Sequence, residues 1–206
     1  MQRVLAGYAA SADADLVSRF DALEPEQIYA QVIDLLPGPG ARVADLGAGT
    51  GRDAAWLAQR GCRVLAVEPV RELREGGRKL HPSIAWLDDR LPELAELRAL
   101  EPFDAVILCA VWHHLDAGDR AVAMPNLAKA IVPGGMLILS LRHQPGPPDR
   151  ESFPVSPEDV IRSAEACGLR LVRQREADAV SEESRALGVR WSWLVFAVRA
   201  SECPAK

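Results

Sequence analysis

The sequence predicts an α/β fold with a doubly wound, mostly parallel sheet that helices cover on both faces. Short and almost wholly apolar runs alternate with segments of helical periodicity from residue 42 onward. Strands that consist of continuous apolar runs are buried on both faces, which is typical of parallel sheets. A glycine-rich turn stands between the first apolar run and the helix that follows it. The 206 residues, 49% of them hydrophobic, suit one domain with a single core.

Residues 1–40 are predicted to be a helical piece ahead of the sheet. Apolar residues recur at helical spacing from Asp13 to Leu36. Pro25 favours the start of a second helix within this stretch. The run Pro37-Gly38-Pro39-Gly40 then ends the helical pattern.

Five parallel strands are predicted after this piece. They cover about 42–46, 63–67, 84–87, 105–110 and 136–141. One helix is expected over about 52–60, where Gly61 ends it, and another over about 119–131. The turn Val132-Pro133-Gly134-Gly135 stops that second helix before the fifth strand.

The C-terminal part predicts a different arrangement. The prolines of Pro145-Gly146-Pro147-Pro148 indicate an irregular segment. The predicted elements are a loop over about 143–156, a helix over about 157–167, and strands over about 169–175 and 191–198. The two strands are expected to add an antiparallel edge to the sheet. Residues 176–188 are too short and too charged to predict a helix between them.

Composition and charge disfavour several classes of protein. The net charge of −5 and the pI near 5.4 disfavour a nucleic-acid partner, which would require a basic stripe. No charged and then apolar leader opens the chain, and no apolar run reaches the ~18 residues of a membrane span. The four cysteines are Cys62, Cys109, Cys167 and Cys203. Because they are far apart, we expect reduced thiols in a cytoplasmic protein and no metal framework.

The turn after the first predicted strand carries most of the functional information. The segment is Val43-Ala44-Asp45-Leu46-Gly47-Ala48-Gly49-Thr50-Gly51. A dinucleotide fingerprint G-x-G-x-x-G would place its third glycine at position 52, where this chain has Arg52. The third glycine comes one residue earlier, and the pattern Asp-x-Gly-x-Gly-x-Gly resembles the nucleotide-binding loop of the class I S-adenosylmethionine (SAM) methyltransferases.

The resemblance covers about residues 40–142 and implies an architecture for the whole chain. It implies a seven-stranded sheet of five parallel strands and an antiparallel C-terminal hairpin, with helices on both faces. We expect residues 1–206 to be one methyltransferase domain. Within it, residues 1–40 would be a helical cap, 41–142 the SAM-binding core, and 143–206 the substrate-side loop, helix and edge strands.

The resemblance also implies the cofactor-binding residues. Asp45 would contact the amino-acid end of the cofactor, unless it is only a turn aspartate. Glu68 lies roughly 20 residues beyond the glycine loop, where a carboxylate accepts hydrogen bonds from both ribose hydroxyls. Asp88 would take the adenine amino group and Asp89 would supply a backbone N–H, with a register shift of one left open. The full predicted set is Asp45, Gly47, Ala48, Gly49, Gly51, Arg52, Glu68, Pro69, Asp88, Asp89 and Ala110.

Arg52 is a candidate because it is a cation in the first turn of a predicted helix, where the helix dipole disfavours positive charge. Such an unfavourable position suggests a function, for example binding of the cofactor carboxylate. Tyr8 is an alternative for that role and is also a candidate for the substrate side. The residues just beyond the fourth strand face the methyl group in this family. We therefore place His113 and His114 as catalytic candidates, although either could serve structure alone, and Trp112, Arg142 and His143 around the acceptor.

The absence of several sequence motifs restricts the class of methyl acceptor. The sequence has no Asn/Asp-Pro-Pro-aromatic tetrapeptide, no pair of glutamates that would clamp an arginine, and no acid at 109–111 to begin a metal site. Adjacent histidines point in different directions, so they do not form a joint metal site. Together with the resemblance, this predicts methyl transfer from SAM to an oxygen or nitrogen of a small molecule, by direct in-line displacement and with release of S-adenosylhomocysteine (SAH).

Two other functions are weighed against this hypothesis. An NAD(P)-dependent oxidoreductase would need a glycine at position 52 and a catalytic pair such as Tyr-x-x-x-Lys, and the sequence has neither. A SAM-binding module without catalysis stays open, because methyl transfer requires no obligatory catalytic side chain.

Overall fold

The computed structural model of the chain describes residues 1–12, 14–143, 146 and 150–199. Its strands are β1 (Arg42–Leu46), β2 (Arg63–Val67), β3 (Ala85–Leu87), β4 (Phe103–Leu108), β5 (Ile131–Arg142), β6 (Leu169–Asp178) and β7 (Arg190–Val198). Its α-helices are α1 (Gln2–Ala10), α2 (Ala14–Asp21), α3 (Pro25–Ile28), α4 (Arg52–Gln59), α5 (Arg71–Leu80), α6 (Ala117–Lys129), α7 (Pro157–Ala166) and α8 (Glu182–Ala186). Short 3-10 turns cover Ile33–Leu35, Leu97–Ala99 and Trp112–His114.

All seven strands form one sheet in the order β3-β2-β1-β4-β5-β7-β6. Strands β1 to β5 pair in parallel, whereas β7 pairs antiparallel with both β5 and β6. The predicted fold class, a mostly parallel seven-stranded sheet with an antiparallel C-terminal hairpin, is therefore confirmed. Strand order reverses between β1 and β4, and that reversal opens a crevice at the carboxyl ends of these strands.

Alternate residues of the central strands pack in two hydrophobic cores, one on each face of the sheet. On one face, Val106 and Leu108 of β4 pack in the core that α6 and α7 also enter. On the other face, Ala105 and Ile107 pack in a core that includes Leu57 of α4. Burial on both faces explains why β4 is apolar at consecutive positions rather than at every second one.

The N-terminal helix prediction is wrong in detail. Instead of two helices that reach Leu36, the structure has α2, the single-turn α3 and the 3-10 turn Ile33–Leu35, and it adds α1, which the sequence did not predict. The reason is tertiary packing at Tyr29, which is fully buried. Its ring lies 5.4 Å from the ring centroid of Trp56 and 4.9 Å from that of Trp193, so this contact overrides the helical periodicity.

Two further helices differ from the prediction. Helix α8 forms inside the segment for which no helix was expected, because the Ser181 hydroxyl accepts a hydrogen bond from the backbone N–H of Ser184 and caps it. Helix α5 was also missed, and it contains the pair Gly76-Gly77, which weakens a helical pattern. A Cβ at Gly77 would overlap the Trp86 ring and would lie 2.8 Å from the carbonyl oxygen of Thr50.

We expect Gly77→Ala to destabilise the fold although alanine is the better helix former. The added methyl would press on Trp86 and on backbone that cannot move easily, which typically lowers the free energy of unfolding by about 1–3 kcal/mol. Gly76→Ala is the matched control, since nothing lies within 4 Å of its added Cβ, and it should raise stability by about 0.5–1 kcal/mol. Urea unfolding of both variants measures this, and equal effects of the two substitutions would contradict the packing role of Gly77.

Candidate functional site

A cavity of about 850 Å³ opens at the carboxyl ends of the parallel strands. Residues at or just beyond the ends of β1, β2, β4 and β5 line its floor, and α1 and α2 contribute to its wall. Residues 177–181, side chains of α8 and Trp191 complete the wall on the side of the antiparallel hairpin. This edge, next to the reversal in strand order, is where open α/β sheets bind their ligands.

The glycine loop needs its glycines for two separate reasons. Gly47, Gly49 and Gly51 have φ angles of +69°, +56° and +84°, a region that other residues rarely adopt. A Cβ at Gly47 would also lie 2.6 Å from Val111, and one at Gly51 would lie 2.7 Å from the Trp86 ring. Gly47 and Gly49 line the cavity with bare backbone, whereas Gly51 lies outside the described cavity wall, next to the Trp86 ring, and leads directly into α4.

Glu68 follows β2, and its carboxylate links the glycine loop to the turn after β2 through two hydrogen bonds. One carboxylate oxygen accepts the backbone N–H of Gly49 at 2.8 Å, and the other accepts that of Val70 at 2.8 Å. The side chain is 4% exposed, and burial raises the pKa of Glu68 to about 7. A carboxylate has about four acceptor positions, so two of them stay available for donors from a ligand in the cavity.

Asp45 at the end of β1 is an acid with an unsatisfied oxygen. The residue is 2% exposed, and its Oδ2 has no hydrogen-bond partner among the described residues. Burial and the nearby Asp53 carboxylate hold the pKa of Asp45 well above its usual range. A cationic group of a ligand would satisfy this oxygen, so a buried acid next to the glycine loop fits the ammonium of SAM.

Arg52 is held by its neighbours at the start of α4. Its Nε donates to Asp53 at 2.6 Å, and its guanidinium also donates to the carbonyl oxygen of Phe20 in α2 at 2.6 Å. Asp53 in turn accepts the hydroxyl of Tyr29 at 2.9 Å. Arg52 lines the cavity, and the ion pair with Asp53 offsets its unfavourable position at the helix N-terminus.

The two acids after β3 occupy different places. Asp89 is buried and lines the cavity, and its oxygens accept the backbone N–H groups of Arg90 and Leu97, both at 2.8 Å. Asp88 is exposed and forms an ion pair of 2.6 Å with Arg74, outside the cavity wall that the described residues form. The structure thus brings Asp89 rather than Asp88 to the cavity.

Tyr8 and the two histidines lie together in the wall of the cavity. The Tyr8 hydroxyl and His114 Nε2 are 3.0 Å apart, and His114 Nδ1 is 2.8 Å from the carbonyl oxygen of Glu151. His113 is buried beside them, and its Nδ1 has no partner within the described ranges. Burial, followed by the neighbouring His114 and Arg142, holds the pKa of His113 well below its usual value.

Some of the remaining residues predicted from the sequence line the cavity, and others lie outside it. Pro69, Ala48, Ala110 and Arg142 line the cavity. Ala110 has a φ of +60°, and its N–H donates to the Ser140 hydroxyl at 2.8 Å. Trp112 packs in the hydrophobic core and His143 pairs with Ser192 at 2.8 Å, so neither belongs to the wall as the described part of the chain forms it.

Several wall residues were missed by the sequence analysis. Arg150 lies with its guanidinium carbon 4.1 Å from the centroid of the Tyr8 ring. Trp191 lies 5.8 Å from the guanidinium carbon of Arg142, and residues 177–181 close the same side. No local pattern distinguishes these residues, because their places depend on how the C-terminal hairpin packs.

The described residues contain neither a candidate metal site nor a helix that could span a membrane. In these ranges, no three His, Cys, Asp or Glu side chains come together in a group that suits a metal ion. None of the described helices has both the length and the apolar composition needed to cross a bilayer.

Comparison with known proteins agrees with this geometry. Residues 43–135 match the methyltransferase domain family. An uncharacterised methyltransferase of Mycobacterium tuberculosis is 37% identical over 103 residues, which are 50% of this chain and 40% of that protein. A ubiquinone biosynthesis O-methyltransferase of Xanthomonas campestris is 35% identical over 106 residues, 50% of this chain and 43% of that protein. The chain thus matches less than half the length of these relatives.

Solved structures show the same fold at low identity. The 1,6-didemethyltoxoflavin-N1-methyltransferase of Burkholderia thailandensis superposes with a TM-score of 0.72 at 18% identity, over 96% of this chain and 88% of that one. The N-methyltransferase NodS of Bradyrhizobium japonicum gives a TM-score of 0.71 at 16% identity, over 95% and 98% of the two chains. Both were crystallised with SAH.

Fold and loop together define a Rossmann-like protein of the SAM-binding type. The resemblance to the class I SAM-dependent methyltransferases that the glycine spacing predicted is confirmed, because residues 43–135 match the methyltransferase domain family and the whole chain has the class I fold. The prediction of SAM as the cofactor is confirmed at the level of this family.

We expect the affinity for SAH to rise with pH because of Glu68. Only the ionised carboxylate accepts from both ribose hydroxyls, so with a pKa of about 7 the affinity at pH 6 should be about tenfold below that at pH 8. Glu68→Gln should lose this share of the pH dependence in calorimetric titrations. Equal pH slopes for the wild type and the variant would show that Glu68 does not contact the ligand.

The Glu68 carboxyl also makes the stability of the ligand-free protein depend on pH. This stability falls as the pH rises, whereas the affinity for SAH increases. Its pKa in the folded protein is raised above its ordinary value of 4.5, so the folded state holds the proton more tightly between those two pH values. The stability that this group contributes to the ligand-free protein is therefore lost as the pH rises towards about 7.

We expect Asp45→Asn to stabilise the ligand-free protein and to weaken SAH binding. The substitution removes a buried acid that burial makes costly to ionise and that has an unsatisfied oxygen, which should raise the free energy of unfolding by about 1 kcal/mol and Tm by about 2–4 °C. It also removes the partner of the ligand's ammonium, so the affinity for SAH should fall by roughly 10- to 150-fold. Thermal unfolding and calorimetry measure both, and a variant with lowered Tm and unchanged affinity would contradict the assignment.

Proposed function

We propose that this chain transfers a methyl group from SAM to an oxygen or nitrogen nucleophile of a small molecule. The observation that carries the proposal is the continuity of one cavity. The glycine loop, Asp45 and Glu68 line the same cavity as Tyr8 and His114. A cofactor and an acceptor can therefore meet inside a single cavity.

At the cofactor end, each polar feature suits one part of SAM. The free acceptor positions of Glu68 would take the ribose hydroxyls, and Asp45 would take the ammonium. The buried loop at Asp89 would face the adenine. Gly47 and Gly49 line the cavity with backbone that a ligand can approach closely.

In the reaction, the cofactor supplies a methyl group that its sulfonium already activates. The protein's own contribution is then to position the acceptor in line with that methyl group and to exclude water. The roof of α1 and α2 and the wall at residues 177–181 support that role. Ala110, just past the end of β4, lines the cavity and would face the methyl group.

The acceptor is proposed to be small because it must fit within an 850 Å³ cavity together with the cofactor. The net charge of −5 disfavours a nucleic-acid substrate. The names of the relatives include both an O-methyltransferase and an N-methyltransferase, so both nucleophiles enter the proposal. We also propose that residues 1–206 act as one domain, with residues 1–40 as its cap.

A pair of measurements tests the proposal. SAH at 100 times its Kd should raise the free energy of unfolding by about 2.7 kcal/mol in a thermal shift assay, whereas NADH should leave it unchanged because Arg52 replaces the third glycine of a dinucleotide loop. An equal shift with NADH would contradict the cofactor assignment. Binding of SAH without any transfer of label from methyl-labelled SAM to a metabolite extract would favour a non-catalytic binding module instead.

A further inference from the structure

We propose that Trp86 is a positioning residue for the cofactor, because its ring holds the glycine loop in the shape that binds SAM. This inference deepens the proposed methyl transfer and rests on the binding of SAM along that loop. Trp86 lies in β3 and does not belong to the cavity wall that the described residues form. It therefore acts on the cofactor through the loop and not by direct contact.

The first half of the glycine loop is held by hydrogen bonds. The backbone N–H groups of Gly47 and Ala48 donate to the carbonyl oxygen of Val67, at 2.8 and 3.1 Å. The N–H of Gly49 donates to the Glu68 carboxylate at 2.8 Å. These bonds fix this part of the loop to the end of β2.

The second half of the loop packs against the ring of Trp86. Atoms Cζ2 and Cη2 of this ring both lie 2.7 Å from the place that a Cβ of Gly51 would take. The same two atoms overlap the place that a Cβ of Gly77 in α5 would take. The outer edge of the indole ring thus lies between the loop and α5, in a space that exists because both residues are glycine.

Further contacts join the loop to the helices around Trp86. A Cβ at Gly77 would lie 2.8 Å from the carbonyl oxygen of Thr50, so the backbones of α5 and the loop lie close together there. Trp86 and Ala48 of the loop also pack against one small apolar cluster, which includes Ala54 of α4. The loop, α4, α5 and the indole ring therefore form one packed unit behind the cavity.

Tryptophan carries an energetic cost at this position. The Trp86 Nε1 atom is buried and has no hydrogen-bond partner among the described residues. A buried donor without a partner is unfavourable, and a phenylalanine would avoid that cost. The shorter phenylalanine ring, however, lacks the two outer atoms that reach Gly51 and Gly77. The reach of the ring, rather than its apolar character alone, therefore accounts for a tryptophan here.

A loop that is fixed before the ligand arrives binds that ligand with less loss of conformational freedom. The three glycines of the loop have positive φ angles, and such a segment would sample many shapes if nothing held it. Only the shape that presents its backbone to the cavity binds the cofactor. The observed affinity therefore falls with the fraction of molecules that have this shape, and the packing of Trp86 raises that fraction.

The rates of SAH binding to the immobilised full chain, measured by surface plasmon resonance, test the inference. Trp86→Leu removes the outer ring atoms, and we expect the association rate constant to fall by about tenfold. The dissociation rate constant should change less than about twofold, because the bound loop keeps its contacts with the ligand. A residue that touched the cofactor would instead raise the dissociation rate constant. An unchanged association rate constant would overturn the inference.

Phe196→Leu is the matched control for a general loss of stability. Phe196 is fully buried in the core that α6 and α7 enter, and it lies outside the cavity wall of the described chain. This variant should lower Tm, while both rate constants for SAH stay within about twofold of those of the wild type. An equal fall of the association rate constant in the control would show that Trp86 acts through stability alone, which would overturn the inference.

A ¹⁹F NMR spectrum of the chain labelled with 5-fluorotryptophan tests the same contact even where Trp86→Leu does not fold. The Trp86 resonance, identified by its absence from the milder variant Trp86→Phe, should shift when SAH binds. A resonance that keeps its position at saturating SAH would overturn the inference, because the loop and the ring would then not be coupled. Failure of the wild-type chain to bind SAH would overturn the proposed function itself, which is a different result from any of these.

Discussion

The buried carboxylate of Glu68 is the interaction on which the cofactor end of the site depends. It joins the backbone N–H of Gly49 in the glycine loop to that of Val70 after β2, so two separate turns are fixed by one side chain. Both donors would otherwise be left unsatisfied at the edge of a core. Because the carboxylate is already oriented by these bonds, a ligand that donates to it loses little further conformational freedom.

The parallel sheet explains why the other groups meet near Glu68. Parallel strands bring their carboxyl ends to one edge, so residues far apart in sequence converge there. Asp45 follows from β1, Ala110 from β4, and Ser140 and Arg142 from β5, and all of them line one cavity. Helices α1 and α2 contribute Tyr8 and Phe20 to the cavity wall, and the C-terminal hairpin contributes Trp191. Each layer of the fold thus supplies a different part of the site.

Much of the core could be predicted because its signals are local. The apolar run of β4 and the glycine spacing after β1 each reflect their own burial or turn geometry. The structure has the glycine turn where the sequence placed it, and β4 begins and ends two residues earlier than predicted. The end of the helix before Tyr29 could not be predicted, because it depends on two tryptophans distant in sequence.

The acceptor side was less predictable for the same reason. Trp112 has the sequence position of a pocket residue, yet it packs in the core, and Asp88 pairs with Arg74 rather than facing the cavity. The Tyr8–His114 bond joins residues 106 positions apart, and Arg150, which is still more distant from Tyr8 in sequence, lies over the Tyr8 ring. Such contacts are properties of the assembled fold, and no spacing in the sequence encodes them.

A crystal structure of the SAH complex would test the central claim most directly. We expect both ribose hydroxyls within hydrogen-bond distance of the Glu68 oxygens, with the bonds from Gly49 and Val70 kept. A ribose bound elsewhere, or a Glu68 side chain that has to leave the two backbone amides to admit the ligand, would contradict the claim that this carboxylate preforms the site.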